Sequence, residues 1–99
     1  MKPTELFRMV MCELIRLTDL SEDSILHSNL EECADARSIL VHSLSLHLTD
    51  MQIATLTGKT RQGVSYIRSG FDTRRSKWSV ESNWKAISKY LERNYLRSK

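Results

Sequence analysis

The chain has 99 residues, 40% of them hydrophobic and 27% charged, which suits one domain with one modest core and excludes disorder as the default state. No apolar run approaches the roughly 18–20 residues that span a bilayer. The net charge of +3 is unevenly spread: residues 1–48 carry eight Asp/Glu against four Lys/Arg, and residues 49–99 carry four against eleven. A basic half suits a polyanionic partner, because neutralised phosphates release condensed counterions.

Met1-Lys2-Pro3-Thr4-Glu5 lacks the apolar stretch of a secretory leader, so a cytoplasmic chain is expected. Pro3 fits a first helical turn, and Glu5 complements the positive end of the helix dipole. Leu6, Met9, Val10, Cys12, Leu14 and Leu17 continue a helix from about 3 to 18, broken at Thr18-Asp19. Cys12 and Cys33 have no second ligand pair nearby and read as small apolar fillers, ahead of a disulfide or metal site. Ser21 caps a short helix, Glu22 to about His27. Asn29 and Glu32 have capping-box spacing ahead of Cys33, Ala36, Leu40, Val41, Leu44 and Leu48, the best helical stripe in the chain and the expected central helix.

Thr49-Asp50-Met51-Gln52 is a full capping box, opening a helix from Asp50 to about Thr57. Gly58 ends it in a left-handed conformation. Thr60 caps the next helix, which reaches about Gly70. Phe71 to Lys77 reads as a polar, basic linker. Ser79 then caps a last helix over 79–97 with Trp84, Ile87, Leu91 and Tyr95 on one face. The expected architecture is all-α: a compact helical bundle with a central helix-turn-helix and a C-terminal helix. It forms one domain over 1–99, with 1–48 as acidic helical support and 49–71 as the helix-turn-helix.

Two steeply crossing helices need a small residue where they touch, and Ala54 supplies it. They need a residue that tolerates a sharp turn four positions on, and Gly58 supplies that. Val64 and Ile67 form the apolar pair facing back, with Ile53 and Leu56 completing the contact. These constraints, met in register, point to a helix-turn-helix, whose second helix enters the major groove of DNA. At about 100° per residue, Val64, Ile67 and Phe71 face inward while Gln62, Ser65, Tyr66 and Ser69 face out, with Arg61 on the flank. Arg61, Gln62, Ser65 and Tyr66 are therefore the expected base-edge residues: Arg reads guanine, Gln reads adenine and Ser is adaptable. No acidic residue lies between Lys59 and Phe71. Lys59, Thr60, Arg68, Ser69, Arg74, Arg75 and Lys77 are the expected phosphate contacts, which set orientation without reading sequence. Arg68 lies near the inward edge, where its stem can pack on the core.

Leu20-Ser21-Glu22-Asp23-Ser24-Ile25-Leu26, then Ala36-Arg37-Ser38-Ile39-Leu40-Val41, then the helix-turn-helix entered through Leu48-Thr49 follow one order of elements. From Cys12 to Phe71 the chain resembles the C-terminal DNA-binding domain of the bacterial replication initiator DnaA, in the Trp-repressor-like superfamily. The resemblance implies a helical fold whose helix after Gly58 docks in the major groove, with DNA-facing roles for Thr60, Arg61, Gln62, Ser65 and Tyr66. Where that family carries Asp-His-Thr-Thr or close variants, this chain has Thr60-Arg61-Gln62-Gly63, and it has no ATPase module. Origin recognition and ATP-driven unwinding are not implied.

His27, His42 and His47 do not assemble a metal site by spacing, and no nucleophile elbow or Gly-rich phosphate loop is present. The expectation is a non-enzymatic protein without metal or small-molecule cofactor. It binds double-stranded DNA as a transcriptional regulator or as an accessory factor for replication or mobile DNA. The alternative is a protein-interaction module that uses the helix-turn-helix as a scaffold. One recognition helix buries limited surface, so a homodimer is also expected from the small size and the long last helix. Trp84 reads as core, while Trp78 either staples the last helix or faces a partner. Lys85, Lys89, Arg93, Arg97 and Lys99 read as a solvated face.

Overall fold

Local capping chemistry sets several of the helix ends in the computed structural model, which describes residues 2–96. α1 (Pro3–Thr18) starts with proline and stops where Asp19 turns left-handed, at φ 60°. The hydroxyl of Ser21 accepts from the Ser24 amide and starts α2 (Glu22–His27). α3 spans Glu31–Ser45, α4 Asp50–Thr57 and α5 Arg61–Ser69. A single turn, α6 (Phe71–Arg74), precedes α7 (Trp78–Leu91), which runs on into a π-type turn over Glu92–Leu96. All regular structure among the described residues is helical, as an all-α bundle requires.

α3 is the centre, touching α1, α2, α4, α5, α6 and α7. It is therefore buried nearly all round: Ile39, Ser38 and Ser43 are covered together with Cys33, Ala36, Leu40, Val41 and Leu44. This is broader than the single stripe expected, and Leu48 lies beyond the helix, half-buried. α1 contributes Leu6, Phe7, Val10, Met11 and Leu14; α7 and the turn after it contribute Val80, Ile87, Leu91 and Tyr95. The radius of gyration is 12.3 Å, close to the ~13 Å of a compact domain of this length. No helix among the described residues is long and apolar enough to cross a membrane.

Ser43 is fully buried, and its hydroxyl has no hydrogen-bond partner among the described residues. Removing a desolvated, unsatisfied hydroxyl from a helix also improves helix propensity. Ser43→Ala is expected to stabilise the fold by about 1 kcal/mol. A chemical-denaturation midpoint that fails to rise would contradict this.

Four local expectations need correction. Asn29 does not cap α3: the Ser28 hydroxyl accepts from the Leu30 amide at 3.2 Å, and Arg37 holds the Ser28 carbonyl. The chain therefore stays extended through Leu30, and α3 begins at Glu31 without a side-chain cap. Cys12 is exposed and fills no core space, whereas Cys33 is buried. Residues 71–77 are no simple linker, because burial of Phe71 winds 71–74 into α6. Ser79 does not cap the last helix. Lys77 is anchored to α3 carboxylates with an extended backbone, and α7 opens at Trp78 with no side-chain cap. Of the expected last helix, Arg97 lies outside the described residues, as does Lys99.

His42 ties α3 to this region. Its ring stacks on Phe71 with centroids 4.0 Å apart and planes 7° from parallel, and it meets Trp84 edge-on at 4.7 Å. Burial, with Arg75 nearby, holds the imidazole below the usual histidine range. Its folded value is thus depressed, so its contribution to stability is complete above about pH 6.5 and is lost as pH falls from there through the folded value. The melting temperature is expected to drop over that interval, and His42→Gln should flatten the drop. An unchanged profile in the variant would assign the acid sensitivity to other groups.

Candidate nucleic-acid interface

The α4–turn–α5 unit is built from local hydrogen bonds. Thr49 Oγ1 accepts from the Gln52 amide at 3.2 Å, and Gln52 Oε1 accepts from the Thr49 amide at 2.9 Å. Gly58 closes α4 at φ 72°, ψ 16°, a conformation that a side chain disfavours. Thr60 Oγ1 then accepts from the Gly63 amide at 2.9 Å, starting α5. A Cβ on Gly63 would lie 3.1 Å from that same oxygen. The missing side chain thus leaves room for the cap. Ile53, Ala54 and Val64 are buried between and beneath the helices, with Leu56 and Ile67 half-buried at the margin.

The opposite side of α5 is open. Arg61 and Gln62 are exposed, Ser65 is half-buried and Tyr66 is 82% exposed. Among the described residues, no side chain engages the Arg61 guanidinium or the Gln62 amide. Arg61, Gln62 and Ser65 line a shallow open groove of about 480 Å³, whose other wall is Asp50. Tyr66 lies beside a second hollow of about 340 Å³, lined also by Arg37, Ser38, Ser69 and Arg74. The four expected base-edge residues are therefore on one continuous outer face of one helix.

The expected phosphate contacts are more dispersed, and all five of their cations are engaged within the chain. Lys59 donates to the Leu26 carbonyl at 2.8 Å. It joins Arg37, whose Nε donates to the Ile25 carbonyl at 2.8 Å, and the two cations hold the C-terminal carbonyls of α2. Burial pushes both below their usual range. Arg68 forms a two-point pair with Asp50. Arg74 and Lys77 both reach Glu31 and Asp35 on α3, which raises Lys77 and lowers Glu31. Arg75 pairs with Glu81 at 3.0 Å and lies over the Phe71 ring. The hydroxyl of Thr60 is the cap acceptor, and that of Ser69 donates to the Ser65 carbonyl at 2.9 Å.

Sequence reading missed the carboxylates that enter this region. No acid lies within α5, yet the fold brings Asp50 to its outer edge and Glu31 and Asp35 to the basic segment after it. The Asp50–Arg68 separation of 18 residues follows from pairing two short helices; the 39–46 residues to Glu31 and Asp35 carry no local signal. Trp78 is 82% exposed, which does not suit a staple on the last helix, while Trp84 is half-buried against His42 and Phe71. No cluster of three or more His, Cys, Asp or Glu able to hold a metal occurs among the described residues. Comparison with protein-family models, with curated proteins and with solved structures yields no match to this chain.

Proposed function

We propose that this protein binds double-stranded DNA, with α4 and α5 acting as a helix-turn-helix and α5 lying in the major groove. The observation that carries the reading is the outer face of α5: Arg61 and Gln62 present donors that nothing in the described chain engages, beside exposed Tyr66. Such donors match the acceptor pattern of purine edges. The basic bias of residues 49–99 supplies attraction toward phosphate. The resemblance to the initiator's DNA-binding domain supports the same docking mode. In this reading the chain is a non-catalytic, cytoplasmic regulator of transcription, or an accessory factor for replication or mobile DNA.

The test is fluorescence anisotropy of a labelled generic duplex, titrated with the protein at low and at physiological salt. Micromolar binding that weakens steeply with salt is the expected result. No binding at low salt overturns the proposal. A second reading, a protein-interaction module, draws support from the internal engagement of all five flanking cations and from exposed Trp78 and Tyr66. Sedimentation with and without DNA tests the accompanying proposal of a homodimer.

A further inference from the structure

Arg68 lies seven residues beyond Arg61 on α5, two turns along nearly the same face. Asp50 holds its guanidinium side-on: Nε donates to Oδ1 at 3.2 Å, and Nη2 donates to Oδ2 at 2.8 Å. Asp50 is itself fixed, as the first residue of a helix closed by the Thr49–Gln52 box. The carboxylate also forms the wall of the groove containing Arg61, Gln62 and Ser65. This arrangement leaves the far end of the fork, one hydrogen on Nη2 and both on Nη1, uncommitted to any described residue.

Such a pair is poorly suited to phosphate. The carboxylate cancels most of the charge that would displace counterions, and it repels a second anion. It is well suited to a neutral edge with two acceptors, because a held fork has a fixed direction. In the major groove that edge is guanine, with O6 and N7 side by side. We infer that Arg68 is a specificity-determining residue that reads a guanine, and that Asp50 is the positioning residue that aims it. The inference rests on the DNA-binding reading above and replaces the phosphate role expected for Arg68.

The experiment first selects a preferred duplex from a random pool with the unaltered protein. Anisotropy at two salt concentrations then compares the selected duplex with a generic one for the unaltered protein, Arg68→Ala, Arg68→Lys and Asp50→Asn. Circular dichroism checks that each variant is folded. Arg68→Ala and Asp50→Asn are expected to lose about tenfold in preference at the same G·C pair. Arg68→Lys, which keeps the charge and loses the fork, should lose that preference while keeping its affinity for the generic duplex. Asp50→Asn should bind the generic duplex at least as well as before, with a steeper salt dependence. Replacing that guanine by 7-deazaguanine should weaken the unaltered protein and leave Arg68→Ala unaffected.

Equal weakening of both duplexes by Arg68→Ala, with a shallower salt slope, would make Arg68 a phosphate contact and overturn the inference. Preference retained in Asp50→Asn would reduce the pair to a brace between helices and overturn it too. Failure of the unaltered protein to bind any duplex at low salt removes the DNA reading, and this inference with it. Generic binding with preference unaltered in the variants removes only this inference.

Discussion

Phe71→Ala is expected to cost about 3–5 kcal/mol of folding stability, a large share of the ~5–15 kcal/mol typical of a domain. Phe71 is 1% exposed and is the only buried residue of α6. Its ring stacks on His42, meets Trp84 edge-on with centroids 6.0 Å apart, and carries the Arg75 guanidinium 5.6 Å from its centroid. Truncation removes the anchor of a one-turn helix and leaves a cavity between α3 and α7. The loss should propagate: α6 positions Arg74, and Lys77 follows three residues later, so their pairing with Glu31 and Asp35 weakens as well. Urea denaturation gives the measurement. Phe71→Leu, which keeps much of the volume without the stacking, should lose less than half as much. A loss below about 1 kcal/mol for the alanine variant would mean that α6 is a passive connector.

That residue also shows where the sequence was legible. Phe71 was readable as inward-facing because it continues the spacing of Val64 and Ile67, but its effect on the backbone was not. A segment containing Arg74, Arg75, Ser76 and Lys77 looks like a linker until a buried ring and two α3 carboxylates hold it. The capping box at Thr49 and the turn at Gly58 were legible because both depend on atoms within four residues. Asn29 failed as a cap because a competing local bond from Ser28 combined with a long-range one from Arg37. Helix ends decided by local chemistry were readable, and ends decided by tertiary contact were not.

Charge follows the same logic. The acidic and basic halves look like a polar molecule in one dimension, but folding sets them against each other through Glu31 and Asp35, while Asp50 pairs with Arg68 within the basic half. Partly exposed pairs of this kind add little stability, yet they change what a cation offers a partner. A lysine or arginine already facing a carboxylate must exchange one anion for another. The basic count of residues 49–99 therefore overstates the charge available to phosphate, and the uncommitted groups on α5 gain weight in any account of binding.

Arg61 and Gln62 are those groups, and replacing both with alanine is the sharpest separation of the two functional readings. Neither side chain is bonded within the described chain, and alanine favours a helix at both positions. The double variant should melt like the unaltered protein, within about 0.5 kcal/mol. If α5 reads base edges, each lost bidentate contact costs about 1–3 kcal/mol of discrimination, so binding to a selected duplex should fall by roughly 30-fold or more. Binding to a generic duplex should fall much less, reflecting one removed charge. If α5 is only a scaffold, the variant should bind DNA as the unaltered protein does, and capture of a protein partner should persist. A selected-duplex affinity within twofold of the unaltered protein, in a variant with unchanged melting, would move recognition away from the outer face of α5 and toward exposed Trp78.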